Sequence, residues 1–132
     1  MGGRGASYSG RSGRAPRGYR TVGKIRGIPV VRNIIKKSGL PTRAPANSVY
    51  LGTNSIGKIV QLRFYGKDGQ VKKDIDWVHS FNGHRNGTVH WHKWKNNKRE
   101  NGHYPLSKSD IKKYKDIIET ATGKKNFIWI WK

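Results

Sequence analysis

Alternation of apolar and polar residues is clearest in the middle of the chain. In KIVQLRFY, Lys58–Tyr65, the residues Val60, Leu62 and Phe64 fall on one face of a strand, and Ile59, Gln61, Arg63 and Tyr65 on the other. Gly66-Lys67-Asp68-Gly69 follows as a hairpin loop, since glycine admits positive φ. The returning strand, Gln70–Val78, puts Val71, Ile75 and Trp77 on one face and Asp74 with Asp76 on the opposite one. Thr88–Trp94 alternates again, with Val89 and Trp91 one way and His90, His92 and Trp94 the other. Ser48–Leu51 and Asn126–Trp131 are shorter strand candidates, and the polar, basic stretch Lys95–Pro105 reads as a loop.

The period changes in the C-terminal half. Over Ser107–Ala121, the residues Ile111, Tyr114, Ile117, Ile118 and Ala121 form one apolar stripe, which predicts an amphipathic helix. Ser107 with Asp110 resembles a capping pair, and Gly123 fits a C-terminal stop. The expectation is an α+β domain over residues 47–132. It has a small antiparallel sheet of four or five strands and one helix in its C-terminal half. Trp77, Trp91, Trp129 and Trp131 are expected to supply much of its core.

Residues 1–46 lack such a pattern and read as a long basic extended arm and linker. The first twenty, MGGRGASYSGRSGRAPRGYR, are dominated by Gly, Ser and Arg and cannot bury enough apolar surface to offset ordering entropy. Between 21 and 46 the apolar residues are interrupted by Gly27, Pro29, Gly39 and Pro41. The spacing of Val30, Val31, Ile34 and Ile35 predicts a short helical turn after Pro29, or an extended segment that docks on a partner. LPTRAPANS reads as linker.

Charge sharpens the functional reading. The net charge is +21, and no acidic residue precedes Asp68. Such a chain repels itself unless a polyanion or counterions neutralise it. Nucleic acid, DNA or RNA, is the expected partner, because neutralising phosphates releases condensed cations. An acidic protein surface is the alternative. Arg4, Arg11, Arg14, Arg17 and Arg20, with Lys93 and Lys95, are the candidate contacts. With no cysteine, disulfides, thiolate metal sites and cysteine nucleophiles are excluded. No secretory h-region and no bilayer-length apolar run is found, so a membrane partner is not expected.

All five histidines lie between His79 and His103, in a stretch that also holds Lys93, Lys95 and Arg85. Three causes are available. A histidine pair can act as base and acid in cleaving RNA without metal, with a cation stabilising the charged intermediate. His90 and His92 would be that pair, Asp74 or Asp76 the orienter, and His79 and His84 further candidates. A His-x-His strand completed by an aspartate or another histidine suits zinc, manganese or iron. The dense positive charge opposes a cation, so no residue is assigned to a metal and no cofactor is expected. The third cause is structural: the histidines satisfy backbone groups and one another at a sheet edge.

Two blocks carry a resemblance. The opening MGGRGAS is similar to the start of small basic proteins encoded beside portal and minor head genes in tailed phages of Gram-positive bacteria. IVQLRFYGKDGQVKKDIDWVHSFNGH, followed by HWHKW, resembles a pattern in those proteins and in C-terminal domains of bacterial polymorphic toxins. The matching positions are Tyr65, Gly69, Asp74, Asp76, His79, His84, His90 and His92. The resemblance implies a phage or prophage origin and a place in the virion or the bacterial cytoplasm. The leading expectation is a virion-associated or head-assembly accessory protein whose basic arm contacts nucleic acid or an acidic partner, with phage portal or capsid proteins as neighbours. A metal-independent ribonuclease of toxin-like type is the first alternative, and a metal-dependent hydrolase the second.

Overall fold

Short β-branched and aromatic runs, separated by Gly, Asn and Pro, build hairpins before they build anything else. The computed structural model describes residues 18–36, 39–77, 88–102, 104–124 and 128–129. Its elements are β1 (Tyr19–Ile25), β2 (Ile28–Asn33), β3 (Val49–Thr53), β4 (Ile59–Tyr65), β5 (Val71–Asp76), β6 (Thr88–Lys95), β7 (Lys98–Arg99), α1 (Lys108–Thr122) and β8 (Ile128–Trp129). The sheet runs β1 to β7 in chain order, and β8 pairs with β6. Among the described residues β2–β3 and β6–β8 are parallel, and the other strand pairs are antiparallel. The architecture is α+β, as the periodicity predicts, with more strands than the four or five expected.

The extra strands have local causes. β1 and β2 occupy residues read above as arm and helical turn. Arg26 and Gly27 both have positive φ, 51° and 81°, which is the twist that a two-residue hairpin turn needs. Val30 and Val31 then point to opposite faces, and both are buried. Four apolar residues are too short a run to separate helix from strand by spacing. Lys95–Pro105 is likewise more than a loop: Asn96 and Asn97, at φ 51° and 62°, turn the chain into β7. The arm residues before Gly18 lie outside the described residues.

A parallel pair cannot be joined by a tight turn. The β2–β3 connection therefore crosses the sheet, and it brings Leu40 and Ala44 onto one face, against Val31, Tyr50, Tyr65 and Val71. The opposite face is covered by α1, over a core that includes Leu51, Leu62, Phe64, Ile75, Val89 and Ile118. Its apolar stripe packs as the spacing predicts, with Tyr114 edge-on to Phe64 at 5.2 Å. The Ser107 hydroxyl accepts from the Asp110 amide, and Gly123, at φ 71°, closes the helix by donating to the Glu119 carbonyl. Both faces of the sheet are thus packed, and the histidine-bearing face is the one opposite the helix. One detail of the alternation differs. Phe64 pairs with Lys73 and Tyr65 with Val71, so Lys72 is bulged out and Val71 changes face relative to Ile75 and Trp77. Among the described residues no helix is long and apolar enough to cross a membrane.

Candidate functional site

Strand register assembles the site. Arg63 on β4 pairs with Asp74 on β5, and Asp74 with His92 on β6. Asp76 pairs with His90 in the same ladder. Alternation then sends Arg63, Asp74, Asp76, His90, His92 and Trp94 to one face. Asp74 and His90 are fully buried, and Asp76 and His92 nearly so.

Two carboxylates organise this face. Asp74 receives Arg63 Nε at 2.7 Å and Arg63 NH2 at 3.1 Å, a two-pronged pairing. The Trp94 indole donates to Asp74 Oδ2 at 2.9 Å, while the Arg63 guanidinium lies 4.6 Å over the Trp94 ring. Arg63 NH1 reaches the Leu40 and Pro41 carbonyls, so the crossover is tied to the same group. Burial would pull Arg63 toward its neutral form, but Asp74 more than offsets this and holds its pKa above the ordinary value.

Asp76 faces the two imidazoles. His92 Nε2 is 3.0 Å from its Oδ2, and His90 Nε2 is 3.1 Å from its Oδ1. The first contact is aligned as a hydrogen bond; the second is close without that alignment, and Oδ1 is buried with no hydrogen bond. Burial alone would raise the Asp76 pKa. The paired histidines outweigh it and hold the carboxyl well below the usual range. The imidazole rings meet edge to face at 4.9 Å. Arg99 NH2 sits 3.4 Å from both Asp74 Oδ2 and Asp76 Oδ2, and its side chain is 38% exposed, which links the cluster to solvent.

Of the candidates read from sequence, Asp74, Asp76, His90 and His92 come together. His79 and His84 lie outside the described residues, as do Arg4, Arg11, Arg14 and Arg17. Arg20 is exposed on β1, at the opposite edge of the sheet from Lys93 and Lys95 on β6. Lys93 packs its ammonium over Tyr104, 5.0 Å from the ring centre. Lys95 lines an open groove with Lys67, Lys72, Trp94, Asn96 and Asp68. Arg63, Trp94 and Arg99 were not singled out for the site. Arg63 was legible in principle, because pairing the strands across the Gly66–Gly69 turn sets it against Asp74. Arg99 was not, because its place depends on the Asn96–Asn97 turn.

The arrangement lets an ionised Asp76 hold and orient both imidazoles. Asp76, His90 and His92 also present ligand atoms that all lie within 4.8 Å of one another. No protein-family model, no curated protein and no solved structure matches this chain.

Proposed function

We propose that this protein binds nucleic acid through its basic surface, with the groove between the Gly66–Gly69 turn and the β6–β7 turn as the strand-holding element. The observation that carries this is the groove itself, where Lys67, Lys72 and Lys95 are exposed beside the half-buried Trp94 indole. Lysines neutralise phosphates, and an aromatic ring adds base contacts that tolerate sequence. Internal pairing does not consume the charge. Arg26 pairs with Asp116, Arg63 with Asp74 and Lys73 with Asp110, while Arg99 bridges Asp74 and Asp76. These pairs match cations to carboxylates one for one, so the surplus of +21 is left for a partner. The resemblance to proteins encoded beside portal and minor head genes is what supports placing this binding in phage head assembly. The test is affinity for single-stranded oligonucleotides across a salt series. A log–log slope of about −0.7 per neutralised phosphate is expected, and a flat response would remove the proposal.

A ribonuclease is the second reading, favoured by the convergence of His90 and His92 on Asp76. In it the imidazoles exchange protons with the 2′-hydroxyl and the leaving oxygen, and Asp76 orients them. RNA should then be cleaved in excess chelator, and His92→Ala should abolish cleavage while the fold is retained. No cleavage of any RNA from about pH 5 to 8, the range over which imidazole changes charge, removes this reading.

A further inference from the structure

We propose that Asp76, His90 and His92 form a binding site for one divalent transition-metal ion of the zinc class. The site is built on two paired strands rather than on a loop. Its three ligand atoms come from residues that the β5–β6 register and strand alternation already place together. Donors bound to one tetrahedral ion at about 2.0–2.1 Å lie roughly 3.3 Å apart. Each imidazole nitrogen has its own oxygen of Asp76 at close to that value, His90 Nε2 at 3.1 Å from Oδ1 and His92 Nε2 at 3.0 Å from Oδ2, so the carboxylate can present either oxygen to the ion or both. The two imidazole nitrogens lie within 4.8 Å of each other, and a bound ion would draw them closer.

The contact geometry favours an ion over hydrogen bonding alone. Asp76 Oδ1 is buried and has no hydrogen bond, although His90 Nε2 is near it. A buried carboxylate oxygen without an aligned donor is unfavourable. An ion held beside Oδ1 would give that oxygen a partner. Two imidazoles and one carboxylate are borderline ligands, which suit zinc and its neighbours; magnesium and calcium prefer oxygen alone.

Charge decides how the ion enters. Arg63 and Arg99 already balance Asp74 and Asp76. Arg63 is locked by Asp74 and two carbonyls. Arg99 is partly exposed and reaches Asp76 only at 3.4 Å, so it is the cation that yields. The ion therefore competes with Arg99 for Asp76. Metal bound through both Nε2 atoms also removes them from proton transfer, so this inference and the ribonuclease reading exclude each other. Nucleic-acid binding by the groove is independent of both.

The experiment is titration of the chelator-treated, dialysed full chain with Zn2+ alone, by calorimetry and by competition with a chromophoric chelator. One ion per chain is expected. Asp76→Asn and His92→Gln should weaken binding about tenfold or more, a loss typical of damage to a metal site. Arg99→Gln, at a partly exposed position, should tighten it. Should the buried variants fail to fold, imidazole NMR signals of the unmutated chain replace them, with those of His90 and His92 shifting on Zn2+ addition. No stoichiometric binding overturns the proposal. So do shifts confined to the other three histidines, an Arg99→Gln variant that binds no tighter, or displacement of Zn2+ by a moderate excess of Mg2+.

Discussion

Arg63 lies against Asp74 across the β4–β5 ladder, its Nε and NH2 on the two carboxylate oxygens at 2.7 Å and 3.1 Å. Both side chains are buried. Removing one partner strands a charge in a medium that solvates it poorly, and such losses run to about 3–5 kcal/mol. Arg63→Met should therefore destabilise the domain by that order in urea unfolding. A loss under about 1 kcal/mol, the level of a surface pair, would show that water reaches Asp74. The double variant Arg63→Met/Asp74→Leu should recover part of the loss, though not all, because Trp94 and Arg99 also lean on Asp74.

Tyr65 predicts an alkaline limit. Its hydroxyl donates to the Pro41 carbonyl at 2.6 Å. Burial raises its pKa, and the neighbouring Arg63 offsets only part of that rise. In the unfolded chain the phenol ionises near pH 10, whereas in the fold it stays protonated above that. A raised folded-state pKa means stability that is complete below pH ~10 and falls as pH climbs toward the folded value. Tyr65→Phe should flatten this decline while costing about 0.5–1.5 kcal/mol at neutral pH for the lost hydrogen bond. Equal slopes for the two proteins between pH ~9 and 11 would separate the phenol from any alkaline sensitivity.

The groove makes a prediction that bulk charge does not. Replacing Lys67, Lys72 and Lys95 together by Ala should weaken oligonucleotide binding and make the salt slope shallower by about 2. Replacing Lys112, Lys113 and Lys115 on α1 changes the net charge equally and should leave more of the affinity. Equal losses in the two triple variants would mean that charge acts without a defined site.

Helix α1 depends on its cap. The Ser107 hydroxyl takes the Asp110 amide at 3.1 Å. Ser107→Ala should cost about 1 kcal/mol, and Ser107→Asp should keep most of the stability, since either oxygen satisfies the first-turn amide. Thermal unfolding distinguishes the two; an Ala variant as stable as the parent would place the helix start elsewhere.

Legibility followed the range of the interactions involved. The helix, its cap, the β4–β5 hairpin and the facing of His90 with His92 rest on neighbours a few residues apart, and they were readable. β1, β2 and β7 were not, because Arg26-Gly27 and Asn96-Asn97 allow the positive φ of a tight turn but the runs beside them alternate too weakly to show that they pair as strands. The bulge at Lys72, which moves Val71 to the face opposite Ile75, was invisible because alternation along one strand does not say where a residue is looped out of the ladder.

By itself the sequence determined which residues share a face in β4, in β6 and in β5 beyond its bulge, where the helix begins and ends, and that the chain carries a large positive surplus. These follow from bond geometry and charge, which need no partner to be defined. Tertiary structure alone decided that Arg63 would also reach the Leu40 and Pro41 carbonyls, that both imidazoles would turn toward Asp76, and that Arg99 would bridge the two carboxylates. Those outcomes depend on strand register and burial, and burial makes a polar group choose its partner when water no longer serves as one.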